Sequence, residues 1–162
     1  MKRISILPIA LGIILLAACK KDNKPTVLDV TVSTGAVSPS GMKIYLLSDA
    51  HRTTADNVAS GTADANGKID FNVTPGQVYY LYNGTYGLIS ANPTYIITGK
   101  FTSQDQINSS PAQTPAAQIG DNIEADVNGD GVVNGIDEVI KVTAPAKGIT
   151  SQVSITLNIP IP

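Results

Sequence analysis

Lys68-Ile69-Asp70-Phe71-Asn72-Val73-Thr74-Pro75-Gly76-Gln77-Val78-Tyr79-Tyr80-Leu81-Tyr82 holds two strands and the turn between them. Ile69, Phe71 and Val73 alternate with Asp70, Asn72 and Thr74. Side chains of a strand point to opposite faces in turn, so this run carries one apolar and one polar face. Thr74-Pro75-Gly76 then breaks it, because proline presets a turn dihedral and glycine accepts a positive φ. Gln77–Tyr82 is continuously apolar, the pattern of a strand covered on both sides.

The same signals recur outward in both directions. Leu28, Val30 and Val32 alternate with Asp29 and Thr31; Val153, Ile155, Leu157 and Ile159 alternate with Gln152, Ser154, Thr156 and Asn158. Met42–Leu47 and Thr94–Phe101 read as further strands covered on both sides. Turn signals separate the runs at Ser38-Pro39-Ser40-Gly41, Asn66-Gly67, Asn83-Gly84 and Asn92-Pro93. The stretch from Asn108 to Gln118 has no periodicity and reads as a mobile loop. Short strands at this spacing predict an all-β sandwich.

Composition agrees and excludes several functions. Of 162 residues, 15% are charged, against about 25% for an average soluble protein. Formal net charge is −2. No basic face able to neutralise several phosphates can be assembled, so nucleic acid is not a predicted partner. With one Cys there is no intramolecular disulfide. With one His, His51, a His-dependent triad or a multi-His metal site is hard to build. Ser40-Gly41-Met42-Lys43 spells S-x-x-K without the companion motifs of that enzyme class. Asp121 and Glu124 could pair with the acidic loop 126–137 as glycosidase carboxylates, but no adjacent aromatic sugar platforms are evident. The expectation is that the protein is not an enzyme.

Two resemblances refine the fold. Ser60-Gly61-Thr62-Ala63-Asp64-Ala65-Asn66-Gly67-Lys68-Ile69-Asp70-Phe71, followed by Val73-Thr74-Pro75-Gly76-Gln77-Val78-Tyr79-Tyr80-Leu81, resembles the prealbumin-like sandwich modules of carboxypeptidase regulatory-like domains and adhesin B-type repeats. Those share a T-D-x-N-G-x-F hairpin followed by P-G-x-Y-Y; here Ala63 is interposed between Thr62 and Asp64. The resemblance implies a prealbumin-like or Ig-like β-sandwich, of a kind used as spacer or adhesive scaffold.

Asp126-Val127-Asn128-Gly129-Asp130-Gly131-Val132-Val133-Asn134-Gly135-Ile136-Asp137 places oxygen donors at positions 1, 3, 5, 7, 9 and 12, with glycine at 6. Asp126, Asn128 and Asp130 offer side-chain oxygens, Val132 its carbonyl, Asn134 an oxygen or a bridging water, and Asp137 closes the shell. This resembles an EF-hand calcium loop. Asp137 stands where the general pattern has Glu, as is usual in dockerin repeats. Dockerins carry two such repeats and this chain has one, so cohesin binding is not carried over. Clustered carboxylates repel unless something neutralises them. An oxygen-only, flexible donor set favours Ca²⁺ over Zn²⁺ or Mg²⁺. Glu138–Val142 is expected to form a helical turn leading into extended chain.

The N-terminus reads as an address. Met1-Lys2-Arg3 is a basic head, and Ile4 to Ala18 is apolar. Fifteen such residues, at about 1.5 Å each, fall short of a ~30 Å hydrocarbon core. The pattern is that of a secretory signal. Leu16-Ala17-Ala18-Cys19 resembles the lipobox of bacterial lipoproteins, in which the cysteine is acylated, palmitate being one of the chains added. Residues 1–18 are then a signal peptide, 19–25 a lipid-anchored tether, and 26–162 the β-sandwich with calcium loop 126–137. Several acyl chains hold a protein on a membrane essentially permanently. Lys20 after the cysteine, where Asp would favour the inner membrane, points to the outer membrane of the cell envelope.

The leading expectation is a non-catalytic, calcium-binding envelope lipoprotein with a structural, adhesive or surface-assembly role. The alternative is a glycan-binding accessory lipoprotein using Tyr79, Tyr80 and Tyr82 as an exposed face, and exposure of those tyrosines separates the two. The partner is the membrane through the lipid, with a protein or glycan beyond it.

Overall fold

A computed structural model of the protein describes residues 24–35, 37–48, 57–89 and 92–160. The signal segment, Cys19, most of the tether and His51 lie outside the described residues. In chain order the elements are β1 (Val27–Ser33), β2 (Lys43–Leu47), β3 (Ala59–Thr62), β4 (Lys68–Asn72), β5 (Val78–Tyr82), β6 (Ile97–Lys100), α1 (Gln104–Ser109), β7 (Ala112–Gln113), β8 (Asn122–Glu124), β9 (Val132–Val133), β10 (Ile140–Thr143) and β11 (Thr150–Thr156).

Two sheets form the sandwich. In one, β1 is central, with β11 parallel to it on one side and β4 antiparallel on the other. In the other the order is β10-β5-β2-β3, all antiparallel. A parallel pair needs a long connection, and here almost the whole chain runs between β1 and β11. Leu28, Val30, Val32, Ile69, Phe71 and Ile155 from the first sheet meet Ile44, Leu46, Tyr79, Leu81 and Ile140 from the second in one buried cluster. These are the period-two apolar positions of each strand, so the alternation in the sequence is the sandwich core.

The four-stranded sheet is buried on its other face as well. Leu47 and Tyr82, with Tyr45 and Tyr80, form a second cluster that Ile96, Val127 and Val139 cover. Odd and even positions of β2 and β5 therefore both meet apolar neighbours. That is why Lys43–Leu47 and Val78–Tyr82 are continuously apolar. The covering layer is the 94–139 segment, which carries two small ribbons: β6 with β8, antiparallel, and β7 with β9, parallel.

Three local expectations are corrected. Thr94–Phe101 is not a strand covered on both sides: only Ile97–Lys100 is a strand, and all four of its residues are exposed. Its apolar content serves Ile96 and Phe101, which flank the ribbon and are buried. Asn108–Gln118 is not a featureless loop, because α1 runs into it and Ala112–Gln113 pairs with β9. Ser103 caps α1, its hydroxyl accepting from Gln106 N at 3.3 Å. Glu138–Val142 is not helical: Val139 exchanges backbone hydrogen bonds with Thr94 at 2.7 and 2.9 Å, and β10 begins at Ile140. The β-branched Ile140 and Val142 take the extended form because a partner strand, β5, lies beside them, and Val139 because Thr94 does.

Candidate metal centre

The loop 126–137 lies on the covered face of the four-stranded sheet, between β8 and β10. Two of its apolar residues anchor it. Val127 is fully buried in the second cluster, and Val133 is buried where β9 pairs with β7. Ala112 N donates to the Gly131 carbonyl and Thr114 N to that of Val133, each at 3.1 Å. Successive carbonyls of a strand point opposite ways, which turns that of Val132 away from β7.

Within the loop every predicted side-chain ligand is drawn onto backbone. Asp126 Oδ1 accepts from Gly129 N at 2.7 Å and Asp130 N at 3.2 Å, and its Oδ2 accepts from Gly131 N at 2.8 Å. Asn128 Oδ1 accepts from Asp130 N at 2.9 Å, and its Nδ2 donates to Asp130 Oδ2 at 2.9 Å. Asp130 Oδ1 accepts from Val132 N at 2.8 Å, and Asn134 Oδ1 from Ile136 N at 2.8 Å. Asp137 closes the ring: Oδ1 accepts from Val127 N at 2.9 Å and Asn128 N at 3.3 Å, Oδ2 from Asn134 N at 3.0 Å. The wind needs a positive φ at Gly131, +88°, the position where the sequence pattern puts its glycine.

Electrostatically the loop is one-sided. Asp137 is completely buried. Burial pushes its carboxyl up, the three backbone N–H groups oppose this, and the charge of Asp126 pushes it up further; the net direction is upward. Glu124 is raised as well, by burial and then by Glu138. Among the described residues no Lys or Arg pairs with a loop carboxylate; the ion pair they contain is Lys68–Asp29 at 3.6 Å, on the other sheet. Nor do three His, Cys, Asp or Glu side chains converge into a ready-made cluster among them.

Tyr82 reaches the same region from below. It is 1% exposed, and its hydroxyl is buried without a hydrogen-bond partner. Its ring packs in the cluster that holds Val127. Burial, then the charges of Asp137, Asp130 and Asp126 in that order, push its phenol upward. The sequence reading missed this link. Strand parity carries the signal, since Tyr80 and Tyr82 face opposite to Tyr79 and Leu81.

The donor set fits a hard divalent cation. All six groups are oxygens; Asp126 Oδ1 and Asp137 Oδ1 each already accept two N–H bonds, but each carboxylate and each amide oxygen group keeps at least one lone-pair site free, and a buried hydroxyl of the same cluster has no partner. Asp126, Asn128, Asp130, Asn134, Asp137 and the Val132 carbonyl would hold the ion, whose charge would offset the clustered carboxylates.

The expected exposed tyrosine face does not form. Tyr79 is 4% exposed and turned into the sandwich core, its hydroxyl accepting from Thr74 N at 3.1 Å. Tyr82 is buried on the opposite face, and Tyr80 is half-buried. Period two splits the three between faces, and both faces are covered. Cys19 lies outside the described residues. Among the described residues no helix is long and apolar enough to cross a membrane.

No protein-family model matches the chain, and no curated protein matches it. Among solved structures it is similar to two crystal structures of BcpA, the major pilin subunit of Bacillus cereus, one of them of a point variant. The variant matches with 14% identity and a TM-score of 0.39, the other with 15% and 0.38. Each match covers 83% of this chain but 30% of the pilin, so the chain spans under a third of the length of those subunits. The fold class rests on the strands described above and not on this likeness.

Proposed function

We propose that the protein is a calcium-binding, lipid-anchored, non-catalytic β-sandwich of the bacterial cell envelope, with a structural, adhesive or surface-assembly role. One observation carries the calcium part. Asp137 is a fully buried carboxylate that three backbone N–H groups bond and that no cationic side chain of the described residues pairs with. A buried charge favours a counter-charge, and the spacing of oxygen-bearing residues over 126–137 resembles that of an EF-hand calcium loop. Lipid anchoring rests on the sequence Leu16-Ala17-Ala18-Cys19 alone.

The ion would be structural. Its loop covers the outer face of the four-stranded sheet, so holding the loop also holds Val127 on Leu47 and Tyr82. Affinity at the weak end, roughly 10⁻⁵–10⁻³ M, would suit an extracellular module. The test combines two measurements. Thermal melting in calcium and in chelator is expected to differ, and identical curves would remove the calcium role. Metabolic labelling with a palmitate analogue is expected to mark the parent and not Cys19→Ser; equal labelling of both would remove the anchor.

A further inference from the structure

Tyr82 carries one of three buried side-chain polar atoms without a hydrogen-bond partner among the described residues, and the only phenol among the three. A buried hydroxyl left unbonded is costly, and most native hydroxyls avoid it. Nothing in the sandwich accounts for it. Phenylalanine would fill the same space beside Tyr45, whose ring lies 6.4 Å away, without the oxygen. The side chain packs on the sheet face that the loop covers, in the cluster with Val127 of the loop, and its oxygen bonds to none of the loop's carboxylates.

We propose that the Tyr82 hydroxyl belongs to the cation site: with calcium in loop 126–137, Tyr82 Oη bonds to a water of the ion's shell on the sheet side. This rests on the calcium reading above and adds to it a residue 44 positions before the loop begins, outside the twelve-residue pattern. The chemistry is direct. A cation polarises its bound water, making it a better donor to a phenol oxygen. The phenol in return can donate to a neighbouring carboxylate oxygen, which has lone pairs to spare. Loading the loop would then satisfy a hydroxyl that no described protein group bonds, and would couple the ion to β5 as well as to the loop.

Calcium titration of the full chain, parent against Tyr82→Phe, tests this, with Tyr80→Phe as control. The expected result is affinity weakened roughly 3–30-fold in Tyr82→Phe, the weight of one hydrogen bond. Tyr80→Phe should bind as the parent does. Melting without calcium should be unchanged or raised in Tyr82→Phe, because the orphaned oxygen is gone. A residue with a merely structural role would lower it. Affinity in Tyr82→Phe within twofold of the parent would overturn the proposal and leave the calcium reading standing. A parent that takes up no calcium would overturn both. Should Tyr82→Phe fail to fold, the ultraviolet difference spectrum of the parent decides. The chain has no Trp, so a tyrosine perturbation on adding calcium that is retained in Tyr80→Phe, Tyr45→Phe and Tyr95→Phe supports the proposal, and its absence from the parent or its loss in one of those variants overturns it.

Discussion

Asp137 joins two functions in one side chain. It ties the start of the loop to its end through Val127 N, Asn128 N and Asn134 N, and it brings the buried charge that the ion would answer. Its removal would therefore damage the fold as well as the site. Asp130 separates the two, because it is exposed and accepts one backbone bond, from Val132 N. Asp130→Ala should leave the metal-free melting temperature within a few degrees of the parent, since exposed changes move stability by about 0.5 kcal/mol. It should abolish most of the rise on adding calcium; a full rise in the variant would show the ligand assignment to be mistaken. Another acid reports on pH. Asp64 Oδ1 accepts from Lys68 N and Asn66 N, both at 2.8 Å, and these bonds hold its carboxyl below the ordinary value of 3.8. A lowered folded-state pKa contributes stability above the unfolded value and loses it as pH falls through the folded one. The stability gap between parent and Asp64→Asn should therefore be full near neutral pH, begin to narrow below about pH 4 and close as pH falls through the lowered folded-state value. A gap constant from pH 7 to 2.5 would contradict it. The six ligands proposed for the loop could be picked out of the sequence because their spacing is local. Tyr82 was not, because its tie to the loop runs through the fold.

At the scale of elements, the turn between β3 and β4 makes a sharper demand than loop 126–137. Gly67 has φ +79°, and a Cβ there would run into the Val32 carbonyl oxygen of β1. Gly129 has φ +76° with open space around it. Gly67→Ala should thus cost at least about 2 kcal/mol, from strain plus collision, and Gly129→Ala about 1 kcal/mol, from strain alone. Equal losses in chemical denaturation would mean that β1 does not pack on this turn as described. Strands with one wet face announced themselves by period two, as in Ile69-Asp70-Phe71. The continuous runs of β2 and β5 announced burial on both faces without saying what covered the second. Thr94–Phe101 misled because its buried residues, Ile96 and Phe101, lie outside the strand between them. The 138–142 segment is too short for periodicity to decide, and pairing with β5 decided it.

Over the whole molecule the picture is a sandwich with a third, irregular layer clamped to one sheet. The main core is built from positions that any binary reading of the sequence finds. The third layer has little regular structure of its own, and its hold on the sheet runs through Ile96, Val127 and Val139. That layer should loosen first when calcium is withdrawn. Amide exchange in chelator should speed up across 94–139 while β1 and β11 stay protected. Uniform exchange across the chain would contradict a calcium-clamped layer. The central claim, that loop 126–137 binds calcium, is tested most directly by titration calorimetry of the chain with calcium. One ion per chain is expected, with a dissociation constant of roughly 10⁻⁵–10⁻³ M and stabilisation of about 2.7 kcal/mol at a hundredfold excess over that constant. No heat of binding across that range, together with an unmoved melting temperature, would contradict it.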